Sequence, residues 1–202
     1  LLSIIGTFMV YSQLPDKIPG HFNFRGEVDR YDSRGTILFT ALLPLGIYLL
    51  MYALPKIDPK RQSYLKHGKA YGIIQIITVV FLILIHWMVI LISLGLDVNI
   101  SVIIRIGIGV LYIVIGNYMS QIRPNYFFGI KTPWTLADET VWKKTHRVGG
   151  IAFLVGGLLM ILTSFTEGVI AMAAFIISIV IIAIIPIAYS YIEYKRKPSE
   201  EK

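Results

Sequence analysis

Residues 70–94 read AYGIIQIITVVFLILIHWMVILISL, twenty-five positions with one amide, Gln75, and one histidine, His86. About 20 apolar residues in an α-helix cross roughly 30 Å of hydrocarbon with every backbone N–H and C=O paired inside the segment. Runs of the same kind occupy 35–54, 100–122, 148–164 and 169–192, and residues 1–14, LLSIIGTFMVYSQL, make a shorter sixth. These runs are continuously apolar, whereas the strands of a membrane barrel alternate with a period of two. Only 15% of the 202 residues are charged and 55% are hydrophobic, against about a quarter charged in a soluble domain. The chain therefore lacks the polar shell that would bury such helices in water. The expectation is an all-α membrane protein, a bundle of six transmembrane helices. The missing Met at position 1 suggests a trimmed N-terminus. A cleaved signal peptide is the rival reading, and neither a basic n-region nor a small-residue cleavage site supports it.

Lys and Arg set the orientation. The connectors 55–69 and 123–147 and the tail after Tyr194 hold fourteen of them, and 15–34 holds four beside four carboxylates. With six spans the strongly basic segments share one side. Both termini and 123–147 are then cytoplasmic and 15–34 is outside. The net charge of +7 is accounted for by topology and anionic lipid at the inner leaflet, so no direct nucleic-acid contact is expected. Cysteine is absent, which removes disulfides, thiolate metal sites and thiol redox chemistry.

Three regions follow: 1–54 with spans 1 and 2 and the outer loop, 55–99 with a basic loop and span 3, and 100–202 with spans 4 to 6. In the outer loop Pro15 and Pro19 stop helix 1. His21-Phe22-Asn23-Phe24 and Glu27-Val28-Asp29-Arg30-Tyr31 alternate about a turn at Arg25-Gly26, a small hairpin signal. Asp32-Ser33 offers an N-cap for span 2. In 123–147, Arg123-Pro124 ends span 4, and Tyr126-Phe127-Phe128-Gly129 is aromatic with a glycine hinge. Thr135-Leu136-Ala137-Asp138 has capping-box spacing for a helix running into span 5, with Glu139 and Lys143 paired at i, i+4. Trp134 and Trp142 are expected at the headgroups. This is a structured cytoplasmic elbow between spans 4 and 5. Gly107, Gly109 and Gly116 in span 4, and Gly149, Gly150, Gly156 and Gly157 in span 5, predict a close crossing.

Little conventional chemistry is visible. His86, inside the longest span, is either a proton relay or a hydrogen bond to a neighbouring helix. Arg105 is expected to snorkel or to pair with Asp97 or the outer loop, and Gln75 to bond between helices. Asp16, Glu27, Asp29 and Asp32 match no calcium loop, and His21, His67 and His146 give no zinc spacing. No nucleophile elbow, phosphate loop or zincin motif occurs. The expectation is a non-enzyme with no metal and no cofactor.

The segment from Arg123-Pro124-Asn125-Tyr126-Phe127-Phe128-Gly129-Ile130-Lys131-Thr132-Pro133-Trp134 to Val141-Trp142-Lys143-Lys144-Thr145-His146-Arg147 and Gly149-Gly150 resembles the signature of the SdpI/YfhL family. Those bacterial membrane proteins are named for immunity to a secreted peptide toxin that kills sibling cells. Pro19, His21, Asn23, Gly26, Asp29 and Tyr31 stand in the order of the DUF1648 pattern that many members carry at the N-terminus. The resemblance implies a toxin-resistance protein, with signalling to a cytoplasmic transcriptional regulator as a second implied role. It points to Arg123, Asn125, Tyr126, Phe128, Gly129, Thr132, Pro133, Trp134, Trp142, His146 and Arg147 as elbow binding residues, Arg123 and Arg147 holding a carboxylate or phosphate. The alternative is a small proton-coupled or solute transporter using His86 and Arg105.

Overall fold

A computed structural model describes residues 1–23 and 25–197. Phe24 and the last five residues of the expected basic tail lie outside the described residues. The helices are α1 Leu2–Val10, α2 Thr36–Ile57, α3 Gln62–Ser93, α4 Ile100–Met119, α5 Pro133–Ala137, α6 Glu139–Leu162 and α7 Gly168–Lys195. A two-stranded antiparallel sheet, β1 Lys17–Phe22 and β2 Val28–Ser33, lies between α1 and α2.

Five helices, α2, α3, α4, α6 and α7, are long and apolar enough to cross a membrane. The sixth expected span, at residues 1–14, is not among these five. There α1 has nine residues and passes into a 3-10 turn at Tyr11–Gln13, and at 1.5 Å per residue it reaches only about 14 Å. Pro15 denies the chain a further helical N–H. Other boundaries moved outward: α3 includes the basic residues Lys66 and Lys69, and α6 begins inside the elbow.

The glycines of α4 and α6 bring two helix backbones together. A Cβ on Gly109 would stand 2.7 Å from the Gly157 carbonyl oxygen, and one on Gly150 2.8 Å from that of Gly116. These two contacts are seven residues apart on each helix, two turns along one face. Lipid tails are as apolar as the side chains, so close van der Waals packing drives such association. On the far side of α6, Ser178 of α7 donates to the Gly156 carbonyl at 3.1 Å. Gln75 donates from α3 to the Tyr48 carbonyl of α2 at 3.0 Å, the interhelical bond expected of it.

His86 ties the N-terminal helices together. Its Nε2 lies 2.8 Å from Thr7 Oγ1 of α1, and its Nδ1 3.0 Å from Thr40 Oγ1 of α2. One ring therefore joins three helices, and both nitrogens are used. Below it Ile18 of β1 is buried with Leu14, Ile37 and Ile90, which seats the hairpin on the ends of α2 and α3.

A leucine at Gly157 would have to push α4 away, at an overpacking cost of about 1–3 kcal/mol. A leucine at Gly72, which faces open space, would not. Thermal unfolding in detergent should show a lower midpoint for Gly157→Leu and little change for Gly72→Leu. Equal midpoints would contradict this packing.

Candidate functional site

The chain's polar residues gather at the two ends of the bundle. At one end the hairpin reaches across to α4. Asn23 Oδ1 accepts from the N–H of Arg25 (2.8 Å) and of Glu27 (3.1 Å), and its amide donates to Glu27 Oε2 at 2.8 Å. The turn closes through Gly26 at φ +83°, and a Cβ there would meet Ser101 Cβ at 2.9 Å. So the turn residues Asn23 and Gly26 fold the tip and lay it against the first turn of α4. Pro19 is buried, whereas His21, Asp29 and Tyr31 are exposed, with His21 Nδ1 2.6 Å from Asp29 Oδ1.

Beneath this tip lie two adjoining cavities that share Ser101 and Arg105. The larger, about 620 Å³, is lined by Arg25, Glu27, Asn99 and the 164–168 connector among others. The smaller, about 360 Å³, lies against His21, Phe22, Asn23 and Gly26 of the hairpin and Ile104, Ile108 and Phe175 of the helices. Arg105 is 8% exposed. Its Nε donates to the Ser101 carbonyl (3.2 Å), and its Nη1 to those of Thr163 (3.0 Å) and Thr166 (2.8 Å). The guanidinium thus holds the negative end of the α6 dipole. Its expected partner Asp97 is not bonded to it. His86 lines neither of these cavities, and its ring is bonded to Thr7 and Thr40 instead.

The elbow is organised from within. Asn125 is 1% exposed. Its Oδ1 accepts from the N–H of Phe127 (3.0 Å) and Phe128 (2.7 Å), and its Nδ2 donates to the carbonyls of Arg123 and Phe128, both at 2.9 Å. Trp142, expected at the headgroups, is fully buried instead, packed with Ala70, Ile74 and Ile122. Its indole donates to the Ile122 carbonyl at 2.9 Å, and burial of the whole ring outweighs its interfacial preference. His146 stacks on it at 4.1 Å between ring centroids. His146 Nε2 accepts from Ile130 N–H at 3.0 Å, so its proton is on Nδ1 and goes to the Trp142 carbonyl at 2.9 Å. Gly129, at φ +114°, passes so close that a Cβ would lie 2.5 Å from His146 Nε2.

Two fastenings join the elbow to its neighbours. Thr132 caps α5 through a capping box with Thr135, three residues earlier than expected from the sequence. Asp138 is extended, at φ −143°, and caps α6 separately through Thr140 and Val141 N–H. The Thr132 hydroxyl also donates to Ser190 at 3.1 Å, Trp134 packs on Tyr191, and Pro133 is exposed. Lys144 pairs with Glu193 and Lys197 with Asp138, both at 2.5 Å, in place of the expected Glu139–Lys143 pair. The second fastening was missed in the sequence. Asp58, 2% exposed, accepts from Lys60 N–H (2.7 Å) and Tyr126 N–H (3.0 Å). The Tyr64 hydroxyl lies between Asp58 Oδ2 (3.1 Å) and Asn125 Oδ1 (3.0 Å). His67, at a kink in α3, accepts from Arg123 N–H at 3.2 Å. The Asp58-Pro59 pair closing an apolar run is the available signal, and Lys56, Lys60 and Arg61 around it mask a buried carboxylate as part of a basic loop. Arg123 and Arg147 are exposed, and their guanidinium groups form no ion pair among the described residues.

The comparisons fit this division. Residues 121–190 match the SdpI/YfhL protein family, and residues 1–45 match the domain of unknown function DUF1648. The chain carries an SdpI/YfhL region behind a DUF1648 region. It is 29% identical over 195 residues to "Immunity protein SdpI" of Bacillus subtilis (strain 168), spanning 96% of this chain and 92% of that protein. No solved structure matches it. The SdpI/YfhL region contains the whole elbow, α6 and most of α7, and the DUF1648 region contains the hairpin. Arg105 lies in neither.

Asp138 provides a pH test. Burial pushes its carboxyl up, but hydrogen bonds from Lys197 and from Val141 and Thr140 N–H outweigh this and hold it below the usual range. Its stabilisation is therefore full above the ordinary carboxylate pKa near 4 and fades as pH falls through the depressed folded value. Asp138→Ala should cost about 1 kcal/mol at neutral pH through loss of the cap, and the gap should narrow in acid. Asp138→Asn keeps the cap acceptor and should fall between. Thermal midpoints that do not change with pH would contradict the assignment.

Proposed function

We propose that this chain is a membrane immunity protein that protects its host cell from a secreted antimicrobial peptide, which it receives in the cavity beneath the hairpin. The observation that carries the reading is the similarity to an immunity protein along nearly the whole chain. The geometry supplies a place for it. A hairpin with two unpaired edges can take an extended peptide by strand addition, and the cavity below offers apolar and charged walls. The elbow end carries the basic segments, so it faces the cytoplasm and the hairpin faces outward. The C-terminus is then cytoplasmic, in a multi-pass protein of the bacterial cell membrane, and the N-terminus shares that side when α1 makes the sixth crossing. No step in this role requires an enzyme.

Signalling to a cytoplasmic transcriptional regulator is a compatible second role. It is favoured by the exposed Tyr126 and Phe127, 46% and 37% accessible, beside the unpaired guanidinium of Arg123 on a rigid elbow.

A bacterium sensitive to the family's peptide toxin should survive when it expresses this chain. Ile104→Trp, which fills the smaller cavity, should lower protection by tenfold or more at matched membrane abundance, while Tyr126→Ala should leave protection intact and affect signalling only. Protection unchanged in Ile104→Trp would remove the cavity from the account. A cysteine at Ser33 should react with an impermeant thiol reagent on intact cells, and one at Ala137 should not. The reverse labelling would overturn the orientation.

A further inference from the structure

We infer that Arg105 is the anchor for a carboxylate of the incoming peptide, held where the two cavities meet and followed by apolar residues in the smaller one. This rests on the proposed role and specifies what the site recognises. A guanidinium has five N–H donors, and three of Arg105's are used, all on the Nε and Nη1 side. Among the described residues the Nη2 amino group has no hydrogen-bond partner, and the side chain lines both cavities. The neighbouring Ser101 hydroxyl likewise has no hydrogen-bond partner among the described residues. Two donors are thus available at one place on a side chain that is more than nine-tenths buried. Arg105 is hydrogen-bonded only to neutral carbonyls, and the Glu167 carboxylate across the larger cavity acts on it only at longer range, so a directly bonded carboxylate would improve the balance of a costly buried cation.

The surroundings set the ligand's shape. Among the described residues no carboxylate lines the smaller cavity, and Phe22, Ile104, Ile108 and Phe175 make it apolar. An anionic group attached to an apolar segment fits there. The larger cavity carries Glu27 and Glu167 together with Arg25 and Arg105, so the peptide's polar residues continue in that direction. A lipid phosphate shares the anionic chemistry, but a lipid makes no use of the strand edges of a hairpin that pairs only with itself among the described residues, or of the mixed charges of the larger cavity. The peptide is the better occupant.

The test uses the full chain in phosphatidylcholine nanodiscs and the family's secreted toxin in two synthetic forms, one with free carboxylates and one with its C-terminus and acidic side chains as amides. The native form should bind the chain tighter by on the order of tenfold to a hundredfold, the range of charge-assisted hydrogen bonds to a carboxylate. Arg105→Gln should bind both forms equally and weakly. Because Arg105 also holds the end of α6, Ile108→Trp is the second variant. It leaves the guanidinium in place and should weaken both forms while keeping the preference for the carboxylate. Equal binding of the two forms by the unaltered chain would overturn this inference and leave the proposed function standing. No binding of either form would overturn both. If phosphatidylglycerol in place of part of the phosphatidylcholine displaces the native peptide as well as the amide does, the anchor is a lipid phosphate site and the peptide assignment fails.

Discussion

The backbone contact between α4 and α6 is the constraint on which the rest of this structure depends. Two glycine pairs, Gly109 with Gly157 and Gly116 with Gly150, bring the helices closer than any side chain would allow. At one end this closeness lets Arg105 of α4 reach the carbonyls that finish α6. At the other it forces the intervening residues to turn back sharply over Trp142 and His146. One contact therefore sets both the cavity and the elbow, and a shift of either helix along the other would be felt at both ends.

Such coupling suits a protein that meets its ligand on one side of a membrane and reports on the other. The hairpin is seated on α2 and α3 through Ile18 but its tip lies on α4, so it bridges the N-terminal helices and the glycine-paired helices. The elbow repeats the bridge at the opposite end, where Asp58 and Tyr64 of the α2–α3 corner bond Tyr126 and Asn125. Peptide entry beneath the hairpin would press on α4 and α6 where they are joined most tightly. Arg123, Tyr126 and Phe127 would move with them, since Asn125 holds that turn as one unit.

Spans and glycines were legible in the sequence because lipid imposes a simple rule on both: long apolar helices, and small residues where they touch. The elbow was legible as a structured segment, and Asn125, Gly129 and Thr132 were read as important, but as ligand contacts. In the structure Asn125 and Thr132 bond the elbow's own backbone, and Gly129 lets the chain pass against His146. Trp142 was misplaced because its amphipathic ring suits an interface as well as a core, and only the partner at Ile122 decides between them. Asp58 was missed because a buried carboxylate satisfied by backbone N–H groups has no fixed spacing. The cavity could not be read at all, since residues 21–26, 101–108 and 164–175 meet only in three dimensions. Residues 1–14 are apolar enough for a span, and Pro15 with the 3-10 turn fixes where α1 ends.

The central claim is that the peptide is received under the hairpin. Photo-crosslinking in cells tests it most directly, with a photoreactive residue placed in turn at Phe22 in the cavity, at Val80 on the exposed face of α3 and at Leu136 on the elbow. The account predicts a covalent adduct with the toxin from position 22 and none from positions 80 or 136. Adducts from position 80 or 136, with none from 22, would contradict it.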